Sequence, residues 1–345
     1  MLSSRLHTAF FDLLRSGLWG KRSVTALDNI SSDDWAEIYD ESVKQTVSGL
    51  LYDGIVNADL DSLPDNDLIA KWTVRVVRIA NYNAKVNKTI STLAKSLNSR
   101  GIAPILLKGQ ATAMLYNEPT LRECGDIDFF FQDEKALATA CEIVGKGGMT
   151  ERKSDGSYVC NRNGVTVELH SKMFDMVSSS QRKHLSEAVS ALGFRRMDWT
   201  EDPSVEILTP TPVLNMLMQN LHILRHALSF GIGLRQLCDY AVCYRGLNDS
   251  EIISLSRILD KMGLCRWNNM LMSFLDTYLY GNAKSISPCT LYKLVMQTGN
   301  FGFGAESRSW NRVVANNIRL FPTVPVQSLI DQTILGGIEY AGENI

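Results

Sequence analysis

The spacing of apolar residues divides the chain into two helical parts and a middle part of different period. Over residues 1–100 the apolar positions recur at helical intervals, and from about residue 65 they predict one long amphipathic helix that Gly101 closes. Residues 176–345 return to helical spacing. We therefore predict an N-terminal helical segment over 1–100 and a C-terminal helical bundle over 176–345.

The middle part, residues 101–175, contains short runs that are typical of β-strands. Residues 102–107 form a continuous apolar run, and residues 126–131 form a second strand-like run with the sequence DIDFFF. Two further runs flank Asn163-Gly164, which is a strong signal for a two-residue hairpin turn. The predicted fold class is α+β, with a small mixed β-sheet core between the N-terminal helices and the C-terminal bundle.

Composition excludes several classes of protein. The 35 Lys and Arg residues nearly balance the 37 Asp and Glu residues, and the net charge of -2 gives no general field for binding nucleic acid. No apolar run reaches the roughly 18 residues of a membrane span, so no membrane partner is expected. The seven cysteines are scattered without a C-x-x-C pair, which is typical of reduced thiols and predicts a cytoplasmic protein.

Three carboxylates are the strongest candidates for chemistry. Asp126 and Asp128 are two positions apart in a predicted strand, so their side chains should point to the same face. Paired acids repel each other, and a magnesium ion with oxygen ligands would relieve the repulsion. Glu168 offers a third carboxylate on a strand of the hairpin, and His170 shares its face. The alternative, an acid pair that is solvated at a strand edge, stays open.

The repulsion among these acids also predicts the effect of removing one of them. We expect Asp128→Asn to leave the metal-free protein as stable as the wild type or slightly more stable, because a like charge is lost. The same change should remove the stabilisation by magnesium.

A glycine turn between the first strand and a short helix is a candidate phosphate site. Free backbone N–H groups at the start of a helix favour anions, and Gly109-Gln110 lies at such a start. Lys108 adds a point charge, and Arg122 adds a planar guanidinium that suits phosphate oxygens. We therefore expect Arg122→Ala to weaken nucleotide binding while metal still binds. A tight turn with two surface cations is the alternative.

Polar residues also follow one face of a predicted helix in the C-terminal bundle. His222 and His226 continue a stripe that begins with an asparagine and a glutamine at positions 215 and 219, and Arg235 and Asp239 lie one turn apart on the next helix. The stripe is either a hydrogen-bonded network between helices or the wall of a cleft that faces the sheet. If it is a cleft wall, His226→Ala should lower activity more than the melting temperature. Zinc is disfavoured because the Glu of H-E-x-x-H is absent.

Taken together and in order, these motifs resemble the uncharacterised nucleotidyltransferase family of the polymerase-beta superfamily. The residues that carry the resemblance are Leu106-Leu107-Lys108-Gly109, Tyr116, Pro119, Arg122, Gly125-Asp126-Ile127-Asp128 and Val167-Glu168-Leu169-His170. The chain departs from the superfamily pattern in having Gln110 after the turn glycine and Glu, in place of Asp, as the third acid.

The resemblance implies transfer of a nucleoside monophosphate from an NTP, with ATP as the expected donor, to an unknown acceptor hydroxyl on a small molecule or a protein. Two Mg2+ ions about 4 Å apart would assist the transfer. The residues implied to be catalytic and to ligate metal are Asp126, Asp128 and Glu168. Those implied to bind nucleotide phosphates are Lys108, Gly109, Gln110 and Arg122. The residues expected in a second layer around the metal ligands, or in the wall of the cleft, are His170, His222, His226, Arg235 and Asp239.

Two functions of other classes compete with this one. A nucleotide-binding regulatory or antitoxin-like partner protein would keep the fold without turnover, and a structural helical protein would leave the acids solvated. A protein without turnover has no need to hold three like charges together, so the three acids favour an enzyme.

Overall fold

The computed structural model describes residues 2–20, 30–57, 63–146, 151–153, 156–174, 179–228, 231–282 and 290–300. Three expectations from the sequence lie outside these ranges. They are a helix break at Gly147-Gly148, a helix start near Ser287 and a final helix after Pro325.

Four helices make up the N-terminal part. Their bounds are Ser4–Trp19 (α1), Ser32–Lys44 (α2), Ser48–Asn57 (α3) and Asn66–Asn98 (α4). Asp65 caps the long helix α4 by accepting a hydrogen bond from the backbone N–H of Leu68 at 2.8 Å. The predicted long helix is therefore confirmed, and it ends three residues before Gly101.

The described residues form one sheet of seven short strands. The strands are Ile105–Leu107 (β1), Ile127–Phe130 (β2), Glu151–Arg152 (β3), Tyr158–Arg162 (β4), Val165–His170 (β5), Phe194–Arg196 (β6) and Leu208–Pro210 (β7), in the order β3-β4-β5-β2-β1-β7-β6. The β2/β5 and β1/β7 pairs are parallel and the others are antiparallel. Helices Gly109–Ala113 (α5) and Glu134–Gly145 (α6) lie between strands in the chain. This mixed sheet confirms the α+β prediction.

Strands β6 and β7 correct the expectation that the chain is wholly helical beyond residue 176. Each has only three residues, which is too short for an alternating pattern to be recognised. Leu208 of β7 pairs with Ile105 of β1, so this pair extends the sheet past residue 175. The domain boundaries given by the sequence stay a prediction.

The remaining helices surround the sheet and join the N-terminal helices. They are Ser179–Leu192 (α7), Pro212–Leu228 (α8), Leu234–Arg245 (α9), Asp249–Lys261 (α10), Cys265–Phe274 (α11), which continues into a π-helical turn at Leu275–Leu279, and Thr290–Thr298 (α12). One apolar core contains Phe11 and Trp72 of the N-terminal helices together with Tyr240, Trp267 and Tyr278 of the C-terminal ones. The two helical parts are therefore packed as one body.

The two faces of the sheet have different surroundings. One face packs Ile127, Phe129 and Val167 against the second half of α4 and against α6. On the other face, Leu107 and Phe130 pack with Met218 of α8. Residues of β2 that point away from α4 therefore point toward α8 and its neighbours.

The cysteines within the described ranges are unpaired. Among the helices that the structure describes, none is both long enough and apolar enough to cross a lipid bilayer.

Candidate active site

The register between β2 and β5 places two of the predicted acids side by side. Asp128 lies opposite Glu168, and Phe130 lies opposite His170, in the parallel pair. Because neighbours in register share a sheet face, Asp128 and Glu168 point to the same side, as the alternation of the sequence predicts. This is the side that faces α8.

Asp128, Glu168 and His170 form a compact group of possible metal ligands. One ligand atom from each lies within 4.8 Å of the other two. The Nε2 atom of His170 is 2.9 Å from Asp128 Oδ1 and 3.5 Å from Glu168 Oε2. Two carboxylates and an imidazole at these separations can hold a divalent cation. Asp126 precedes β2 and is not a member of this group, so its role as a metal ligand stays a prediction.

Two lysines compensate the charge of these acids. Lys108 Nζ lies 3.3 Å from Asp128 Oδ2, and Lys153 Nζ lies 2.7 Å from Glu168 Oε1. The sequence pattern did not single out Lys153, because it comes beside Glu168 only through the pairing of β3 with β4 and of β4 with β5. The acids are therefore paired with cations, which favours a stabilising role for Asp128. The effect of Asp128→Asn on the stability of the metal-free protein stays a prediction.

The pKa values of the two aspartates shift in opposite directions. Burial raises the pKa of the Asp128 carboxyl, but Lys108 and His170 outweigh it and hold that pKa below its usual range. The negative charge of Asp128, followed by burial, raises the pKa of Asp126. Asp128 is therefore the firmly ionised member of the pair.

The turn that carries Lys108 has an unusual backbone. Lys108 has φ +30° and Gly109 has φ +50°, so two successive residues occupy the region that favours glycine. A lysine in this region costs roughly 1 kcal/mol, and its ion pair with Asp128 offsets that cost. Burial lowers the pKa of Lys108, but the nearby acids, Asp128 first, raise it above its usual value, so the side chain stays charged.

Gln110 does not point toward this turn. Its side chain is buried and its Nε2 donates to Asn87 Oδ1 of α4. The side chain therefore lies on the α4 side of the sheet, and the expectation that it binds phosphate is corrected. Its Oε1 has no hydrogen-bond partner among the described residues.

Arg122 is also placed differently from the expectation. Its guanidinium is 4% exposed and donates from Nε and Nη2 to the two carboxylate oxygens of Asp239, both at 2.7 Å. Tyr116 Oη donates to the same carboxylate at 2.7 Å. The sequence could not reveal this partner, which lies 117 residues away. Arg122 and Asp239 thus form a structural ion pair that ties the loop before β2 to α9. The role of Arg122 as a phosphate ligand stays a prediction.

Other contacts hold the same loop, residues 119–126, from two sides. On the α4 side, Asn83 Nδ2 donates to the carbonyl oxygen of Arg122 at 2.9 Å, and Arg75 Nη2 is 2.9 Å from Glu123 Oε2. On the α9 side, Arg235 Nη1 donates to the carbonyl oxygen of Glu123 at 3.0 Å. The loop that leads into Asp126 is therefore fixed between two helices.

The polar stripe of α8 divides into two halves. Asn215 and Gln219 donate to Cys243 Sγ of α9, at 3.4 and 3.1 Å, and form a network between helices. The rings of His222 and His226 pack edge to face with centroids 4.3 Å apart. Burial lowers the pKa of His222, and the next contribution comes from the charge of Lys108. A position of this half of the stripe in the wall of the cleft stays a prediction.

The buried histidines predict a loss of stability in mild acid. Burial, followed by the charge of Arg225, lowers the pKa of His226 from 6.5 to about 3. Between these values the unfolded chain binds the proton and the folded chain does not, so stability falls as the pH drops below 6.5. The pKa of His170 is raised, so this residue stabilises the protein in mild acid and opposes the effect of His226. The test therefore compares the pH dependence of wild type with that of a variant. Wild type should lose more melting temperature between pH 7.5 and 5.5 than His226→Gln. Identical slopes would contradict the prediction.

The fold and the acid group define the class of the protein as a nucleotidyltransferase-like α+β protein. The family described as uncharacterised nucleotidyltransferase matches residues 31–278, which include the sheet and helices α2 to α11. The chain therefore belongs to the uncharacterised nucleotidyltransferase family, and the resemblance of its motifs is confirmed. No curated protein matches the chain, and no solved structure matches it. Membership supports nucleotidyl transfer as the general activity.

Proposed function

We propose that the protein is a metal-dependent enzyme that transfers a nucleoside monophosphate from an NTP to an acceptor hydroxyl and releases pyrophosphate. The observation that carries the proposal is the convergence of Asp128, Glu168 and His170 beside the Lys108-Gly109 turn, in a member of a nucleotidyltransferase family. ATP is the expected donor, and the acceptor is a small molecule or a protein.

The reaction exchanges one phosphorus–oxygen bond for another. The acceptor oxygen bonds to the α-phosphorus, the bond to the pyrophosphate oxygen breaks, and the hydroxyl proton is lost to water. A divalent cation at the acid group would neutralise phosphate oxygens and make the acceptor hydroxyl more acidic. Asp128 and Glu168 would hold this cation, and Asp126 is the predicted further ligand. The carboxylate oxygens of Asp128 and Glu168 and the ring nitrogen of His170 already face one another, so this set of donors fits a divalent cation.

Arg235 is a better candidate than Arg122 for the triphosphate. It is partly exposed, and its charge acts on Asp126, His222 and His226. Among the described residues, each arginine has one nitrogen without a hydrogen-bond partner, namely Nε of Arg235 and Nη1 of Arg122. The difference is that Arg235 donates to a backbone carbonyl, whereas two nitrogens of Arg122 are held by a carboxylate. Lys108 and Arg235 would together neutralise the phosphates as charge develops.

This assignment predicts that Arg235→Ala lowers nucleotide affinity at least tenfold, which is about 1.4 kcal/mol, because a charge-assisted hydrogen bond is lost. Arg235→Lys should restore part of the affinity, since it keeps the charge. Calorimetric titration with ATP measures both, and Arg195→Ala, on an exposed strand residue, is the matched control. Unchanged affinity in Arg235→Ala would contradict the assignment.

A nucleotide-binding regulatory protein without turnover is the second candidate. The observation in its favour is that Lys108 and Lys153 already compensate Asp128 and Glu168, so the acids can be retained without a metal. The two functions are separated by incubating the protein with α-labelled NTPs, metal and a mixture of metabolites and proteins. An enzyme transfers label to an acceptor, and a regulatory protein binds the nucleotide and leaves it unchanged.

A further inference from the structure

We propose that His170 is a direct metal ligand, and that it makes the site prefer a first-row transition-metal ion over Mg2+. The proposal rests on the proposed function in one respect, namely that Asp128 and Glu168 hold a divalent cation. It departs from the expectation that His170 lies in a second layer and that the ion is magnesium.

The backbone places the His170 ring on the acid side of the sheet. Val165, Val167 and Leu169 are buried on the opposite face of β5, so Glu168 and His170 point together toward the side of Asp128. The N–H of Phe131 donates to the carbonyl oxygen of His170 at 3.0 Å, which continues the pairing of β2 with β5 beyond Phe130. The position of the imidazole is therefore set by a strand and not by a loop.

The separations between His170 and each of the two acids are those of neighbouring ligands around one ion, and the ligand atoms of all three side chains lie within 4.8 Å of one another. His170 Nε2 is 2.9 Å from Asp128 Oδ1 and 3.5 Å from Glu168 Oε2. Bonds of about 2.1 Å place neighbouring ligand atoms roughly 3.0 Å apart in an octahedral site and roughly 3.4 Å apart in a tetrahedral one.

Each of the two lysines contacts one oxygen of a carboxylate and leaves the other oxygen of that carboxylate to the group of metal ligands. Lys108 contacts Oδ2 of Asp128, and Lys153 contacts Oε1 of Glu168. The other oxygen of each carboxylate is the one that faces His170. The lysines thus hold the outer oxygens and orient the carboxylates, as the outer hydrogen-bond partners of metal ligands do.

The chemistry of the donors decides which ion fits. Mg2+ binds oxygen ligands and dehydrates reluctantly, so an imidazole nitrogen is a poor ligand for it. Imidazole nitrogen suits first-row transition-metal ions such as Fe2+, Zn2+ and Cu2+, whereas Mn2+ shares the preference of Mg2+ for carboxylate oxygen. A set of two carboxylates and one imidazole therefore favours the transition-metal ion.

The test uses Mn2+ as the probe and the full-length protein. Electron paramagnetic resonance of bound Mn2+ in competition titrations should give a Kd for Zn2+ at least tenfold lower than the Kd for Mg2+. Pulsed spectra of bound Mn2+ should show coupling to a nitrogen nucleus, and labelling histidine with 15N should change that coupling.

His170→Asn should lose the coupling and at least tenfold of the Mn2+ affinity, with a smaller change for Mg2+. His184→Gln, which alters a histidine on α7, should behave as the wild type.

Absence of the histidine coupling in wild type, or equal affinities for Zn2+ and Mg2+, would overturn the proposal even if His170→Asn fails to fold. Transfer of nucleotide by a protein without the coupling would leave the proposed function intact and remove His170 from the ligands. Coupling in a protein that transfers no nucleotide would support His170 as a ligand and contradict the proposed function.

Discussion

Asp128→Asn is expected to abolish nucleotidyl transfer, with a loss of at least roughly 1,000-fold, and to destabilise the metal-free protein by about 1–3 kcal/mol. The loss of transfer follows from weakening the group that would hold the metal. The loss of stability follows from the contacts of Asp128, which is 2% exposed and paired with Lys108 and His170. The substitution replaces the carboxylate with a neutral amide, which is a weaker hydrogen-bond acceptor for Lys108 and His170 in this buried site.

The pH dependence of this loss has a definite sign. Because the folded-state pKa of Asp128 lies below its usual 3.8, its contribution to stability is present above 3.8 and disappears as the pH falls through the folded-state value. The raised pKa of His170, which Asp128 causes, adds stability that is fully present below pH 6.5. The stability difference between wild type and Asp128→Asn should therefore be largest between pH 3.8 and 6.5, where Asp128 is ionised and His170 is protonated, and shrink in stronger acid. Urea unfolding in chelator at several pH values measures it. Asp198→Asn, at an exposed position, is the control. A variant as stable as wild type at neutral pH would show that acid repulsion dominates after all.

Arg122→Ala should be the most destabilising of these changes, by about 3–5 kcal/mol. The substitution leaves the buried carboxylate of Asp239 with Tyr116 as its remaining side-chain partner. It also releases the loop before β2 from α9, so activity should fall together with stability. Urea unfolding measures the loss, with the exposed Arg196→Ala as control.

A double-mutant cycle isolates the ion pair itself. Asp239→Ala should also destabilise the protein, and the double variant should lose less than the sum of the two single losses, because the second change removes an already unpaired charge. Nucleotide affinity that falls in Arg122→Ala without a loss of stability would restore Arg122 to the phosphate site. Additive losses would show that the two residues act independently.

Local patterns in the sequence were sufficient for the strands β1, β2, β4 and β5 and for the face that Asp128 and Glu168 share. The hairpin at Asn163-Gly164 forms because both residues adopt positive φ, at 55° and 75°. The side-chain period of two in a strand then places Glu168 on a known face, and the parallel pairing with β2 brings it beside Asp128. These features depend on residues close together in the chain.

The partners of the charged residues could not be predicted in the same way. Arg122 pairs with Asp239 only because α9 packs beside the loop before β2, and nothing local distinguishes this arginine from one that binds phosphate. Lys153 reaches Glu168 because β3 pairs with β4, which in turn pairs with β5. For the same reason, the sequence pattern predicts an effect of Asp128→Asn on stability that is opposite in sign to the one expected from the contacts in the structure.

The most direct test of the account is transfer of label from α-labelled NTPs, ATP first, to an acceptor in a mixture of metabolites and proteins, with Mg2+ or Mn2+ present. The account predicts metal-dependent incorporation by wild type and by Asp198→Asn, and none by Asp128→Asn or Glu168→Gln. Nucleotide that binds wild type but is never transferred with either metal, or equal incorporation by wild type and Asp128→Asn, would contradict it.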